Sequence, residues 1–263
     1  LHLSIRRQRQ MCIRDSIKLR FFTNISHELR TPLTLIAGPV EHVLKNSKLP
    51  EDAREQLVVV ERNTNRMLHL VNQILDFRKI QNKKMKMQVQ RVDVVSFVRR
   101  IMDNFESLAE EHSIDFLFET EKDELYLWVD EDKLEKIVFN LLSNAFKYTP
   151  DGQSIKIEVD TSRENMLALR VANEGSTIKE KDFQYIFNRY AILDNFENQD
   201  EKNFSRNGLG LAISYNMAKL LNGTLKVENT PDGWVMFTLT LPVVKLTTGV
   251  SETKRLTAEY IPK

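Results

Sequence analysis

The chain is short of several things, and each shortage excludes something. One cysteine, Cys12, in 263 residues rules out an internal disulfide framework and any zinc site built on several thiolates. No apolar run reaches the length of a transmembrane helix, and no secretory leader is visible. Excess charge of one sign is also missing: 38 basic against 37 acidic residues leave a net charge of +1, which gives no reason to expect nucleic acid as a partner. There is no internal repeat and no low-complexity tract. The expectation is a soluble segment suited to a reducing compartment and not itself inserted in a membrane. What is present is apolar content of 41%, enough for the core of one large domain or two modest ones, and 29% charged residues, which suit long solvated helices.

The most informative stretch is Phe21-Phe22-Thr23-Asn24-Ile25-Ser26-His27-Glu28-Leu29-Arg30-Thr31-Pro32-Leu33. With Ile25 as angular origin, Leu29, Leu33, Ile36, Val40, Val43 and Leu44 fall within one helical sector of roughly 100°. His27 lies roughly 160° from the middle of that sector and faces water, with Thr31 one turn along. An exposed imidazole with an adjacent carboxylate, Glu28, is equipped to be a nucleophile. A lone surface histidine is usually only solvated, and His2, His42, His69 and His112 are left at that reading.

Residues 1–16 are basic and aperiodic and read as an arm, either foreign or a linker. A first helix is predicted from Ile17 to about Asn46, with a bend at Pro32. Asn46-Ser47-Lys48-Leu49-Pro50 breaks it, and a second helix runs to about Ile80. There Leu57, Val60, Thr64, Met67, Val71 and Ile74 step by three and four. The two make an antiparallel hairpin, 17–80, whose apolar stripe needs a partner; two copies would make a four-helix bundle. Residues 81–91 read as a polar linker with room for a short strand. A second domain, 92–244, alternates helices with half-buried strands: helices over Val94–Glu111, Asp132–Tyr148 and Leu209–Leu221, and strands over Ile114–Thr120, Leu125–Val129, Ile155–Asp160, Leu167–Asn173, Gly223–Glu228 and Trp234–Leu241. The fold class is α+β: a helical hairpin followed by an α/β sandwich. Residues 245–263 read as a tail.

In the second domain Leu134, Ile137, Val138, Leu141 and Ala145 cluster toward the core, while Asn140, Asn144 and Lys147 cluster on another helical face. Two amide oxygens one turn apart suit a hard cation or its waters, and a neighbouring lysine balances phosphate charge; the ordinary alternative is a solvated polar face. Asn207-Gly208-Leu209-Gly210-Leu211 places glycines before a helix, where backbone N–H groups can approach phosphate.

Taken together, these strings resemble the sensor histidine kinases of two-component systems over nearly all of residues 17–244, and most of all the hybrid sensors of Bacteroidetes. The Phe21–Leu33 string resembles their phospho-acceptor box, and Asn140-Leu141-Leu142-Ser143-Asn144-Ala145-Phe146-Lys147-Tyr148-Thr149 their N box. Asn173-Glu174-Gly175 is similar to the first glycine box, and Gly208-Leu209-Gly210-Leu211 to the second. The resemblance implies ATP as phosphoryl donor, with Mg²⁺ near Asn140 and Asn144, and nucleotide contacts from Lys147, Tyr148, Asn173, Gly175, Gly208, Leu209, Gly210 and Leu211. In Ile186-Phe187-Asn188-Arg189-Tyr190, Arg189 is the candidate phosphate contact, while Phe187 and Tyr190 suit packing. The polar stretch 194–205 reads as a lid over the nucleotide. The resemblance further implies a homodimer, a response-regulator receiver domain as phosphoryl acceptor, and a place in the cytoplasmic portion of an inner-membrane sensor.

Three departures from the family pattern stand out, one of them Thr177 in place of the later glycine of the first glycine box. Asn173 occupies the position of an aspartate that accepts a hydrogen bond from the adenine amino group. A neutral amide accepts that bond less well, at an expected cost of about 1–2 kcal/mol. Arg206 stands where the second box usually begins with glycine. The expected reaction is transfer of the γ-phosphoryl group to His27, with Glu28 orienting the imidazole proton and Thr31 positioning water for the reverse, phosphatase step. Two alternatives stay open: a degenerate module that binds nucleotide and dimerises without turnover, and another ATPase on the same sandwich, which leaves the His27 helix unexplained.

Overall fold

The computed structural model describes residues 29–45, 49–81, 85–161, 166–175, 177–183, 185–187 and 209–242, with backbone alone at Gln81 and Leu209. Its contacts divide into two compact units, with the boundary between Met85 and Lys86.

The first unit is a helical hairpin. Residues 29–45 form α1, which continues through Pro32, and Glu51–Gln81 form α2. Pro50 starts α2 without losing a needed N–H, and its carbonyl accepts from the Arg54 amide at 3.0 Å. Glu51 and Asp52 in the first turn and Arg78 and Lys79 in the last complement the helix dipole. The helices run antiparallel: Arg30 Nη2 donates to Asn72 Oδ1 at 2.5 Å near one end, and Arg54 Nη1 to the Leu44 carbonyl at 3.5 Å near the other. Leu33, Ala37, Val40 and Leu44 of α1 are half-buried, and Thr64, Val71 and Leu75 of α2 are buried. The apolar stripe is wider than one partner helix can cover. Leu29 and Ile36 on α1, and Val60 and Met67 on α2, remain exposed.

In the second unit, the short strand for which the 81–91 stretch left room is present, and it is fastened to the domain. The Gln88 amide donates to Asp130 Oδ2 at 2.7 Å. Gln90–Asp93 form β1, antiparallel to β3 (Tyr126–Val129). The polar residues alternate with Val92, whose burial ties the strand down. Asp93 then caps α3 (Val94–Met102), accepting from the amides of Val95 at 3.3 Å and Leu125 at 2.9 Å and from the Ser96 hydroxyl. A 3₁₀ turn, Asp103–Phe105, separates α3 from α4 (Glu106–Glu111), so the one helix expected over Val94–Glu111 is two.

The main sheet has the order β2-β4-β5-β7-β6, built from β2 (Asp115–Thr120), β4 (Ser154–Asp160), β5 (Met166–Asn173), β7 (Val235–Pro242) and β6 (Thr224–Asn229). β2 and β4 are parallel and the other pairs antiparallel. Alternation decides the faces. Ile155, Ile157, Leu167, Leu169, Val171 and Leu239 point inward and are buried with Leu134, Ile137 and Leu141 of α5 (Glu131–Tyr148) and Met217 of α6 (Leu209–Leu220). The opposite face carries Lys156, Glu158 and Arg170, with Arg170 bridging Glu158 at 2.6 Å and Asp160 at 2.9 Å. This is the expected α/β sandwich. No helix among the described residues is long and apolar enough to cross a membrane.

Candidate functional site

The site grows from α5. Asp130 caps it, accepting from the Lys133 amide at 3.2 Å, and the Lys133 ammonium returns to Asp130 Oδ2 at 2.5 Å and to the Lys86 carbonyl at 2.7 Å. Both side chains are buried, so this end of α5 is held rigidly. At the other end, the Thr149 hydroxyl and amide both donate to the Ala145 carbonyl, at 2.7 and 2.9 Å, closing the last turn before Pro150.

Two other segments meet the C-terminal half of this helix. Asn140 is only 8% exposed. Its Nδ2 donates to the Gly210 carbonyl at 3.5 Å and to Ser214 Oγ at 3.3 Å. The N box and the second glycine box are therefore tied directly together. Further along, Gly175 rests against Pro150: a Cβ on Gly175 would lie 2.3 Å from Pro150 Cδ, and its φ of +101° is one that side chains resist. The first glycine box thus docks on the residues that end α5. Its neighbour Glu174 is stitched to β4, with its amide donating to the Ser154 carbonyl at 3.1 Å and its Oε2 accepting from the Ser154 amide at 2.9 Å.

Asn173 is 4% exposed at the end of β5, and its Nδ2 donates to the Glu174 carbonyl at 3.3 Å. That bond sets the rotamer. The amide hydrogens are turned to the backbone, so Oδ1 is the atom left to act as acceptor. Asn144 is half-buried one turn from Asn140, while Lys147 and Tyr148 are exposed, with the Lys147 ammonium 5.3 Å from the Tyr148 ring centre. Gly210 is buried and Leu211 half-buried at the start of α6. Phe187 stacks on Tyr215 of α6, with ring centres 5.2 Å apart, which fits the packing role expected of it.

Thr31 is exposed on α1 of the first unit. His27, Glu28, Arg189 and Gly208 lie outside the described residues, as do Tyr190, the 194–205 stretch and the 245–263 tail. Sequence reasoning missed Ser214, whose signal was a hydroxyl directly after the apolar run Leu211-Ala212-Ile213. It also missed Pro150, for which no local signal exists.

Two carboxamides one turn apart fit Mg²⁺, a hard ion that keeps most of its shell as water and substrate phosphate oxygens and needs few protein donors. Among the described residues no group of three His, Cys, Asp or Glu side chains offers a fuller cage. The N-terminus of α6, whose first turn includes Gly210, adds backbone donors suited to an anion.

Comparison with known proteins matches both units to known families. Residues 17–83 match the His Kinase A (phospho-acceptor) domain, and residues 129–245 match the histidine kinase-, DNA gyrase B- and HSP90-like ATPase family. The chain belongs to the histidine kinases. The phospho-acceptor domain separates it from the other ATPases on this sandwich. Histidine kinase P4 of Formosa agariphila is 36% identical over 241 residues, covering 91% of this chain and 17% of the relative. The sensor histidine kinase TmoS of Ectopseudomonas mendocina is 36% identical over 230 residues, covering 87% of this chain and 23% of the relative. The chain therefore spans about a fifth of the length of these relatives. Full-length ShkA in complex with AMPPNP shares the fold, with a TM-score of 0.69 at 22% identity over 87% of this chain and 47% of that one.

Proposed function

We propose that this chain is the core of a protein-histidine kinase that phosphorylates itself on His27 from MgATP and passes the phosphoryl group to an aspartate of a receiver domain. The observation that carries the nucleotide half is the bond from Asn140 to Gly210 and Ser214, which joins two segments 70 residues apart into one site. Asn140 and Asn144 would hold the ion through their carbonyl oxygens. Lys147 and the α6 N-terminus would meet phosphate, and Asn173 Oδ1 would accept from the adenine amino group. Bound Mg²⁺ would supply charge neutralisation on the phosphates. The residues of the chain do the rest by positioning: Glu28 orients the imidazole, and Thr31, one turn away, is the candidate to hold water in the phosphatase direction.

The exposed Leu29, Ile36, Val60 and Met67 support a homodimer, because each hairpin keeps an apolar strip that a second hairpin would cover. A receiver domain as acceptor is supported by the protein-histidine kinase family alone. A place in the cytoplasmic portion of a membrane sensor rests on the same ground.

The test is incubation with γ-labelled ATP and Mg²⁺, comparing the chain with His27→Gln. Acid-labile, base-stable label absent from the variant is expected. Label retained in the variant would refute His27 as acceptor. Asn173 favours one second reading, a nucleotide-binding signalling module without turnover. Nucleotide binding with no phosphohistidine would select it.

A further inference from the structure

One polar side chain on the inner face of the sheet is not used above. β6 is an edge strand, and its inward positions are Leu225, Val227 and Asn229. Apolar, apolar, then amide: the alternation ends on a group that needs partners. Asn229 finds them in the backbone of Ile178, 51 residues away. Its Oδ1 accepts from the Ile178 amide at 3.1 Å and its Nδ2 donates to the Ile178 carbonyl at 2.7 Å. The carboxamide thus stands in for a peptide group and continues the sheet by one residue beyond its edge. Only an amide side chain offers an acceptor and a donor in that planar arrangement.

Its place in the register gives the contact a consequence. Asn229 pairs with Val235, Val235 with Asn173, and Asn173 with Ile155. Asn173 and Asn229 therefore stand on the same rung, two strands and roughly 10 Å apart, facing the same helical layer. The loop that leaves β5 after Asn173 is held on the near side by Glu174 on Ser154. It is held on the far side by Ile178 on Asn229. Gly175 sits between the two fastenings, against Pro150. Beyond Ile178 the chain turns through a 3₁₀ segment, Glu180–Asp182, toward Phe187 on α6.

We propose that Asn229 is a positioning residue for nucleotide binding: by fastening Ile178 it fixes the span of the loop that carries Gly175 and sets where Asn173 and Gly175 meet the nucleotide. This rests on the reading of that loop as part of an ATP site. Asn229→Asp is the sharp test, because it keeps the acceptor for the Ile178 amide but turns a carboxylate oxygen onto the Ile178 carbonyl. Asn229→Ser, which retains one bond, covers the case in which the aspartate variant fails to fold. Lys226→Ala, exposed on the outer face of the same strand, is the control.

Three readouts on the full chain decide it: ADP affinity by calorimetry, exchange of the Ile178 amide by nuclear magnetic resonance, and KM for ATP against kcat in autophosphorylation. In Asn229→Asp, setting a carboxylate oxygen against the Ile178 carbonyl is expected to weaken ADP binding about fivefold to tenfold. Ile178 exchange should quicken, and KM should rise while kcat holds. Faster exchange at Ile178 with unchanged ADP affinity would overturn the positioning role while leaving the nucleotide site intact. A wild-type chain that binds no ADP would overturn the site reading itself, and the role of Asn229 with it.

Discussion

Gly175 and Pro150 touch so closely that no side chain fits between them. A Cβ on Gly175 would come within 2.3 Å of Pro150 Cδ and 2.8 Å of Pro150 Cγ, at a backbone φ of +101°. Glycine is therefore required twice, once for conformation and once for space. The contact joins the end of α5 to the loop after β5.

Gly175→Ala should accordingly separate those two segments. Strain at such a φ costs about 1–3 kcal/mol. We expect a lower unfolding temperature and at least a tenfold loss of ADP affinity. A variant as stable and as tight-binding as the wild type would show that the loop moves without consequence.

Asn173 gives a prediction with a sign in each direction. If Oδ1 receives the adenine amino group, Asn173→Asp should tighten ADP by up to about 1–2 kcal/mol, since a charged acceptor makes the stronger bond. Asn173→Ala should weaken it. Calorimetry on both variants checks this, and equal affinities for all three chains would remove Asn173 from the site.

The Asp130–Lys133 pair is a test of buried charge. Asp130 is 1% exposed and Lys133 4%. Lys133→Met leaves the carboxylate buried with its amide donors but without its cation, at an expected cost of about 3–5 kcal/mol. Asp130→Asn combined with Lys133→Met should cost less than Lys133→Met alone, because the stranded charge is gone. Denaturant unfolding of the set reads this coupling; strict additivity would contradict it.

Asp93 predicts the acid limb of stability. Burial opposes its ionised form, but hydrogen bonds from the Ser96 hydroxyl and from the Leu125, Val95 and Ser96 amides outweigh that and hold its pKa below the usual value. A carboxyl depressed in the folded state contributes stability that is full above its unfolded pKa and is lost as pH falls through the folded one. Asp93→Asn should therefore lower stability at neutral pH and flatten its decline below about pH 4. Parallel acid-unfolding slopes for the two chains would count against this.

Much of the fold was legible because it is written in local spacing. The core positions of α5, Leu134, Ile137, Val138 and Leu141, recur at three and four residues and are all fully buried. β4 and β5 alternate as half-buried strands should. The departures have identifiable causes. The stretch 86–91 looked like a linker because its polar residues point outward and only Val92 beyond it is buried; the fastening comes from Asp130, some 40 residues away. The 3₁₀ turn at Asp103–Phe105 was hidden because Asp103 and Asn104 do not break the apolar period of the helices around them.

The sequence alone determined where most helices and strands run and which strings of residues resemble the family's boxes. Those properties depend on neighbours within a few residues, and periodicity and short motifs report them. Only the tertiary structure decided which of those strings meet. Asn140 reaches Ser214 across 74 residues, Gly175 needs Pro150, and Asn173 and Asn229 share a rung, because sheet register and helix docking bring them together. Register is set by the whole inward-facing set of side chains at once, and no local pattern around any one of these residues encodes its partner.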